Sequence, residues 1–144
     1  MATHVVIGDP HCTPKASNER FLWAGRLAAD VRATHIICMG DFCSMDSLSS
    51  YDKKKKSFEG RRYQKDMEHS HEALSLFNKG LGKHKPRKIM LHGNHEDRID
   101  RFVDENPELD GTLKISDLNF KQYGWQEVPY KQNKVLNGVY YAHH

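Results

Sequence analysis

A chain of 144 residues with 38% apolar content is long enough to bury roughly two-thirds of its unfolded surface in one domain. Its mean hydropathy of −0.78 and the lack of any apolar run near the roughly 20 residues a bilayer requires exclude a spanning helix. The net charge of +3 is too small to indicate nucleic-acid binding by itself, but it would not repel a phosphate-bearing ligand.

Cys12, Cys38 and Cys43 are odd in number and follow no spacing pattern. They argue against a disulfide framework, and the N-terminus has no basic stretch followed by a long apolar one, so the expected location is the cytoplasm. The first predicted element is a buried strand, Thr3 to Ile7, β-branched and closed by Gly8 and Pro10. Asp9 and His11 follow, separated by Pro10. If the backbone there is extended, residues i and i+2 face one side, and both could reach one metal ion.

Ser17 to Arg32 is predicted helical, with Asn18 as its cap and an imperfect apolar face of Leu22, Gly25, Arg26, Ala29 and Val31. A second strand, His35 to Met39, ends at Gly40-Asp41. A strand-helix-strand unit places the two strands parallel and adjacent, which would bring Asp9 and Asp41 to one sheet edge. Two carboxylates together repel unless a cation or a shared proton relieves them.

The stretch from about residue 47 to 88 is expected to be largely helical and to set the choice of substrate. Within it, Lys53 to Lys56 read as a solvated surface run. Tyr63, Met67, Leu74, Phe77 and Leu81 fall at helical spacing from Phe58 onward, with Gly80 and Gly82 as stop signals. His69 and His71, two apart on this helix, point in different directions and would not share a metal.

A third strand, Lys88 to Leu91, runs into Gly93-Asn94-His95-Glu96-Asp97. One reading makes Asn94 the cap of a following helix, with Asp97 at its third position. The other gathers amide, imidazole and carboxylate ligands, suited to Mn, Fe, Zn or Mg, at the edge that carries Asp9, His11 and Asp41. The last predicted strand is Val135 to Ala142, followed by His143 and His144.

Asp9-x-His11, Gly40-Asp41 and Gly93-Asn94-His95-Glu96, in this order and each after a strand, resemble the first three signatures of the calcineurin-like metallophosphoesterases. The stretches Ser47 to Lys53, Phe58 to Tyr63 and Arg98 to Phe102 are similar to phage-encoded members in particular, so a host cytoplasm would be the setting. The resemblance covers most of the chain. It implies an α/β fold, a β-sandwich flanked by helices, in which residues 1–144 form a single domain that is truncated C-terminally.

The resemblance further implies two divalent metal ions, with Mn favoured over Fe, Zn or Mg. Asp9 and His11 would bind the first, Asp41 would bridge both, and Asn94 and His143 would bind the second, with His144 as the alternative to His143. A bridging hydroxide would be the nucleophile, and His95, beside the metals without ligating them, would protonate the leaving oxygen. Arg98, more weakly, would hold the substrate phosphate, and Arg101 is a weaker candidate still.

Two departures from the family pattern stand in the sequence. The second acid that orients the catalytic histidine is replaced by Ser44, with Asp46 nearby, and the final Gly-His-x-His signature is absent. The expected activity is hydrolysis of phosphomonoesters or phosphodiesters, nucleotides or nucleic acid among them. A silent fragment needing a C-terminal complementing chain or a homo-oligomer, and a basic nucleic-acid module using Lys53 to Lys56, Arg61 and Arg62, are the alternatives.

Overall fold

A computed structural model describes residues 1–143; His144 lies outside the described residues. The chain forms β1 (His4–Ile7), α1 (Glu19–Asp30), β2 (His35–Cys38), α2 (Tyr63–Leu81), β3 (Arg87–Leu91), α3 (Arg98–Glu105), β4 (Trp125–Val128), β5 (Asn133–Leu136) and β6 (Val139–Ala142). Strands β1 to β4 make one parallel sheet in sequence order, and β5 and β6 make a separate antiparallel pair. The register sets Ile37 beside Ile89 and Leu91 beside Val128.

The period-2 alternation of the strands divides the core. Ile36, Cys38, Met90 and Trp125 face one side, where they join Phe21 and Ala28 of α1, Leu74 and Phe77 of α2 and Ile99 of α3. Ile37, Ile89, Leu91 and Val128 face the other side, against Leu136 and Tyr141 of the hairpin. Central parallel strands buried on both faces must be apolar throughout, hence the unbroken Ile36-Ile37-Cys38 and Ile89-Met90-Leu91 runs. Helices thus cover one face and a two-stranded hairpin the other. Among the described residues, the expected second sheet of a sandwich is present only as this hairpin.

Several boundaries and faces differ from the sequence reading. The buried face of α1 is Phe21, Gly25 and Ala28, whereas Arg26 and Val31 are exposed. Asn18 occupies the N-cap position without a side-chain cap bond; its amide instead crosses to α2, donating to the His69 carbonyl at 2.9 Å and to Glu72 Oε2 at 2.7 Å. Gly80 does not stop α2. A Cβ there would sit 2.3 Å from the Leu22 carbonyl oxygen, so the residue lets the two helix backbones touch, and Gly82, at φ +57°, is the stop.

The segment before α2 is less helical than expected, with only short 3-10 turns at Asp46–Leu48 and Lys56–Phe58. Lys53 to Lys56 are all exposed, as a solvated run should be. His69 and His71 do diverge, toward Asn18 and the Asp117 carbonyl respectively. The expected last strand is two strands, because Asn137 and Gly138 both take positive φ, +49° and +80°, as a two-residue hairpin turn requires. No helix among the described residues is long and apolar enough to cross a membrane.

Candidate metal centre

The loops after β1, β2 and β3 and the residue after β6 meet at the C-terminal edge of the parallel sheet, where open α/β sheets place their ligands. Asp41 is at the centre and is 2% exposed. Its Oδ2 lies 3.8 Å from His11 Nε2 and 4.0 Å from His95 Nε2, and its Oδ1 lies 3.6 Å from His143 Nε2. His11, Asp41 and His95 form a cluster whose ligand atoms all fall within 4.8 Å of one another, close enough to hold a metal ion. His143 Nε2 is also 3.1 Å from Asn94 Oδ1.

Two of the imidazoles have their tautomer set from behind. His95 Nδ1 lies 2.7 Å from the Ser44 carbonyl oxygen, and His143 Nδ1 lies 2.6 Å from that of Met39. A carbonyl can only accept, so each Nδ1 carries the proton and each Nε2, in the neutral ring, turns a lone pair toward Asp41. Burial favours that neutral ring for His95, pushing its pKa below the ordinary histidine value, with Arg98 acting in the same direction. At His143 that lone pair meets two acceptors, Asp41 Oδ1 at 3.6 Å and Asn94 Oδ1 at 3.1 Å, a repulsive arrangement that a cation among them would relieve. Metal-binding histidines are held by second partners in this same way.

The backbone is shaped around Asp41. A Cβ on Gly93 would fall 2.1 Å from Asp41 Oδ1, and one on Gly40 would fall 2.6 Å from His143 Nδ1. Only glycine lets the two loops close to this distance. His11 and Asp41 themselves take left-handed backbone angles, φ +45° and +49°, a conformation that costs on the order of 1–3 kcal/mol in non-glycine residues and collects at functional sites. The His11 N–H donates to the Asp41 carbonyl oxygen at 2.9 Å, and Cys12 and Cys43 continue as an isolated parallel bridge.

Glu96 is not placed as a ligand. It is fully buried and its carboxylate accepts three backbone N–H groups, from Asp41 at 2.9 Å, Cys43 at 2.9 Å and Gly93 at 2.8 Å. Burial pushes its pKa up to about 7, against the pull of those bonds. It ties the β2 loop to the β3 loop and so fixes where Asp41 stands. The expected ligand set left Glu96 out, but its role as a clamp was not foreseen, since residue type alone suits an acid behind a glycine turn to either use.

Of the remaining predicted residues, Asp9 is exposed just after β1, and the backbone at His11 is left-handed where the sequence suggested an extended one. Asn94 is not a helix cap: α3 starts at Arg98 with Asp97 before it, which leaves Asn94 at the site. Arg98 donates to the Ser44 carbonyl oxygen at 2.8 Å, and its Nη2 lies 3.4 Å from His95 Nε2. Arg101 pairs with Asp97 at 3.1 Å. Arg61 pairs with Asp52 at 2.9 Å. The orienting role expected of a second acid falls to the Ser44 backbone, which sequence reading could not see because any residue supplies a carbonyl. No protein-family model matches the chain, and no curated protein matches it either.

Proposed function

We propose that this protein is a metal-dependent phosphoesterase of the calcineurin-like type. The observation that carries the reading is the convergence of three imidazoles, His11, His95 and His143, on the buried Asp41 from three separate segments. The donor set fits the group: nitrogen and oxygen ligands without thiolate suit Mn, Fe, Zn or Mg, and the Gly93 cradle leaves no room for anything but the Asp41 carboxylate. Helices on one face of a parallel sheet and a β-hairpin on the other are compatible with the family's flanked sandwich.

In this reading His11, Asp41, Asn94 and His143 hold two divalent ions, Mn by preference, with Asp9 completing the first position. Divalent ions bound there neutralise phosphoryl oxygens and lower the pKa of coordinated water. His95, oriented by Ser44, protonates the leaving oxygen, a contribution on the order of 10²- to 10⁴-fold for a poor leaving group. Arg98, beside His95, faces the phosphate. The basic-module alternative has less support, because Arg61 is already committed to Asp52.

The test is metal analysis together with hydrolysis of an aryl phosphodiester. The expected result is bound Mn and metal-dependent turnover in the wild type, with both lost in Asp41→Asn. Turnover that survives Asp41→Asn, or a wild-type protein that takes up no divalent metal, overturns the proposal.

A further inference from the structure

Next to the cluster is an open cleft of about 250 Å³, with Asn94 and Arg98 on the wall it shares with the metal centre. Three aromatic rings from separate segments, Tyr51, Phe102 and Tyr130, also line it. We propose that this cleft receives the nucleoside of a nucleotide phosphoester, whose phosphate then lies at Asp41. This rests on the phosphoesterase reading and names its substrate class.

Position, charge, ring chemistry and size all bear on this. The Tyr130 ring is 6.3 Å from that of His143, so a group held against Tyr130 is within one residue of the candidate ligands. The acids of the cleft are already matched, Asp97 by Arg101 at 3.1 Å and Glu105 by Lys53 at 3.9 Å. Among the described residues no carboxylate lies within 4.0 Å of Arg98 or Lys131. Arg98 and Lys131, two cations of the cleft lining with no carboxylate at ion-pair distance, match the charge of a phosphoester.

Tyr51 is 80% exposed at the edge of the cleft. Its burial stabilises nothing in the fold, but its flat face can stack on a base, an interaction open to any base because each has a π-face. Lys131 Nζ lies 5.5 Å from the centroid of the Tyr130 ring and Lys53 Nζ 5.5 Å from that of Phe102, so aromatic and cationic surface alternate as they do where a nucleotide is held. The volume lies a little below the roughly 300–1,000 Å³ usual for small-molecule sites. It suits one base and sugar better than a run of stacked bases.

The experiment compares two esters with the same leaving group, thymidine 5′-(p-nitrophenyl phosphate) and methyl p-nitrophenyl phosphate, on the full chain loaded with Mn. Calorimetry of thymidine 5′-monophosphate with metal-free protein provides a readout independent of turnover. The nucleotide ester is expected to show a kcat/KM higher by on the order of tenfold. Tyr51→Ala should abolish that advantage and weaken monophosphate binding, and Tyr51→Phe, which keeps the stacking face, should retain both.

Equal rates for the two esters overturn the nucleoside assignment while leaving the phosphoesterase reading in place. Loss of the preference in Tyr51→Phe as complete as in Tyr51→Ala also overturns it, since stacking is then not the contact. Monophosphate binding that depends on Tyr51, without turnover of either ester, supports the cleft assignment and overturns the phosphoesterase reading instead.

Discussion

The carboxylate of Glu96 accepts the backbone N–H of Asp41 at 2.9 Å, linking two loops 55 residues apart. Because Glu96 is fully buried and its pKa is raised to about 7 from 4.5, the folded protein keeps a proton that the unfolded chain has released. The stability this group contributes is therefore complete below pH 4.5 and lost as pH rises through about 7, an effect of about 3 kcal/mol at most. Glu96→Gln should flatten that part of the pH dependence. It should also destabilise the fold by ~1–3 kcal/mol, since its amide puts two N–H donors among three backbone donors where the acid has at most one O–H and the carboxylate none. Urea denaturation at pH 5 and pH 7.5 measures both; parallel pH responses in the two proteins would contradict the assignment.

Gly93→Ala probes the cradle. A methyl group 2.1 Å from Asp41 Oδ1 and 2.5 Å from its backbone nitrogen has no space, so Asp41 or the loop must shift. We expect a loss of ~1–3 kcal/mol in stability and a larger proportional loss of Mn affinity, read by denaturation and by calorimetric titration. An alanine variant that binds Mn as tightly as the wild type would show that Asp41 is not held where it acts.

His95→Ala separates acid from ligand. In the proposed role of proton donor, His95 would matter most when the leaving group is a poor one, so the variant should keep its Mn and lose ~10²-fold or more on an alkyl phosphoester, with a smaller loss on a p-nitrophenyl ester. Wild-type turnover of the alkyl ester should fall as pH rises through a value below the ordinary histidine range, because burial lowers the His95 pKa and the acid form is lost there. Metal content and paired pH profiles are the measurements. Loss of Mn in the variant would make His95 a ligand, as its place in the cluster with His11 and Asp41 allows.

Ser44→Ala should change little. His95 is oriented by the Ser44 carbonyl at 2.7 Å, not by its hydroxyl, and an alanine supplies the same carbonyl. Turnover within about twofold of wild type is expected on the alkyl ester, where the acid matters most. A loss as large as that of His95→Ala would assign the work to the hydroxyl.

Leu136→Ala tests the hairpin as the carrier of His143. Leu136 and Tyr141 pack on Ile37, Ile89, Leu91 and Val128, and His143 follows β6 directly. Truncation should cost ~2–5 kcal/mol of stability and also weaken Mn binding, because a loosened hairpin no longer fixes His143 against Asn94. Denaturation and Mn titration on one sample distinguish a coupled loss from a purely structural one.

Taken by itself, the sequence determined what local chemistry can encode. The apolar runs of β1, β2 and β3 set a parallel sheet, the helical spacing of Met67, Leu74, Phe77 and Leu81 set the buried face of α2, and a polar cluster after each strand marked where ligands would gather. Asn137-Gly138 also encoded its turn, although the surrounding apolar residues concealed it.

Only the tertiary structure decided which acid faces the site and which holds it together. By residue type alone Asp41 and Glu96 are both acids that could ligate a metal, although the family resemblance names only Asp41. Burial and three backbone N–H groups assign one to the centre and the other to the clamp. It likewise decided that His11 turns through a left-handed backbone and that a bare carbonyl of Ser44 orients His95. Apart from the Gly93 bond to Glu96, these contacts join residues about 30 to 55 positions apart through backbone atoms common to every residue, and no side-chain pattern can announce them.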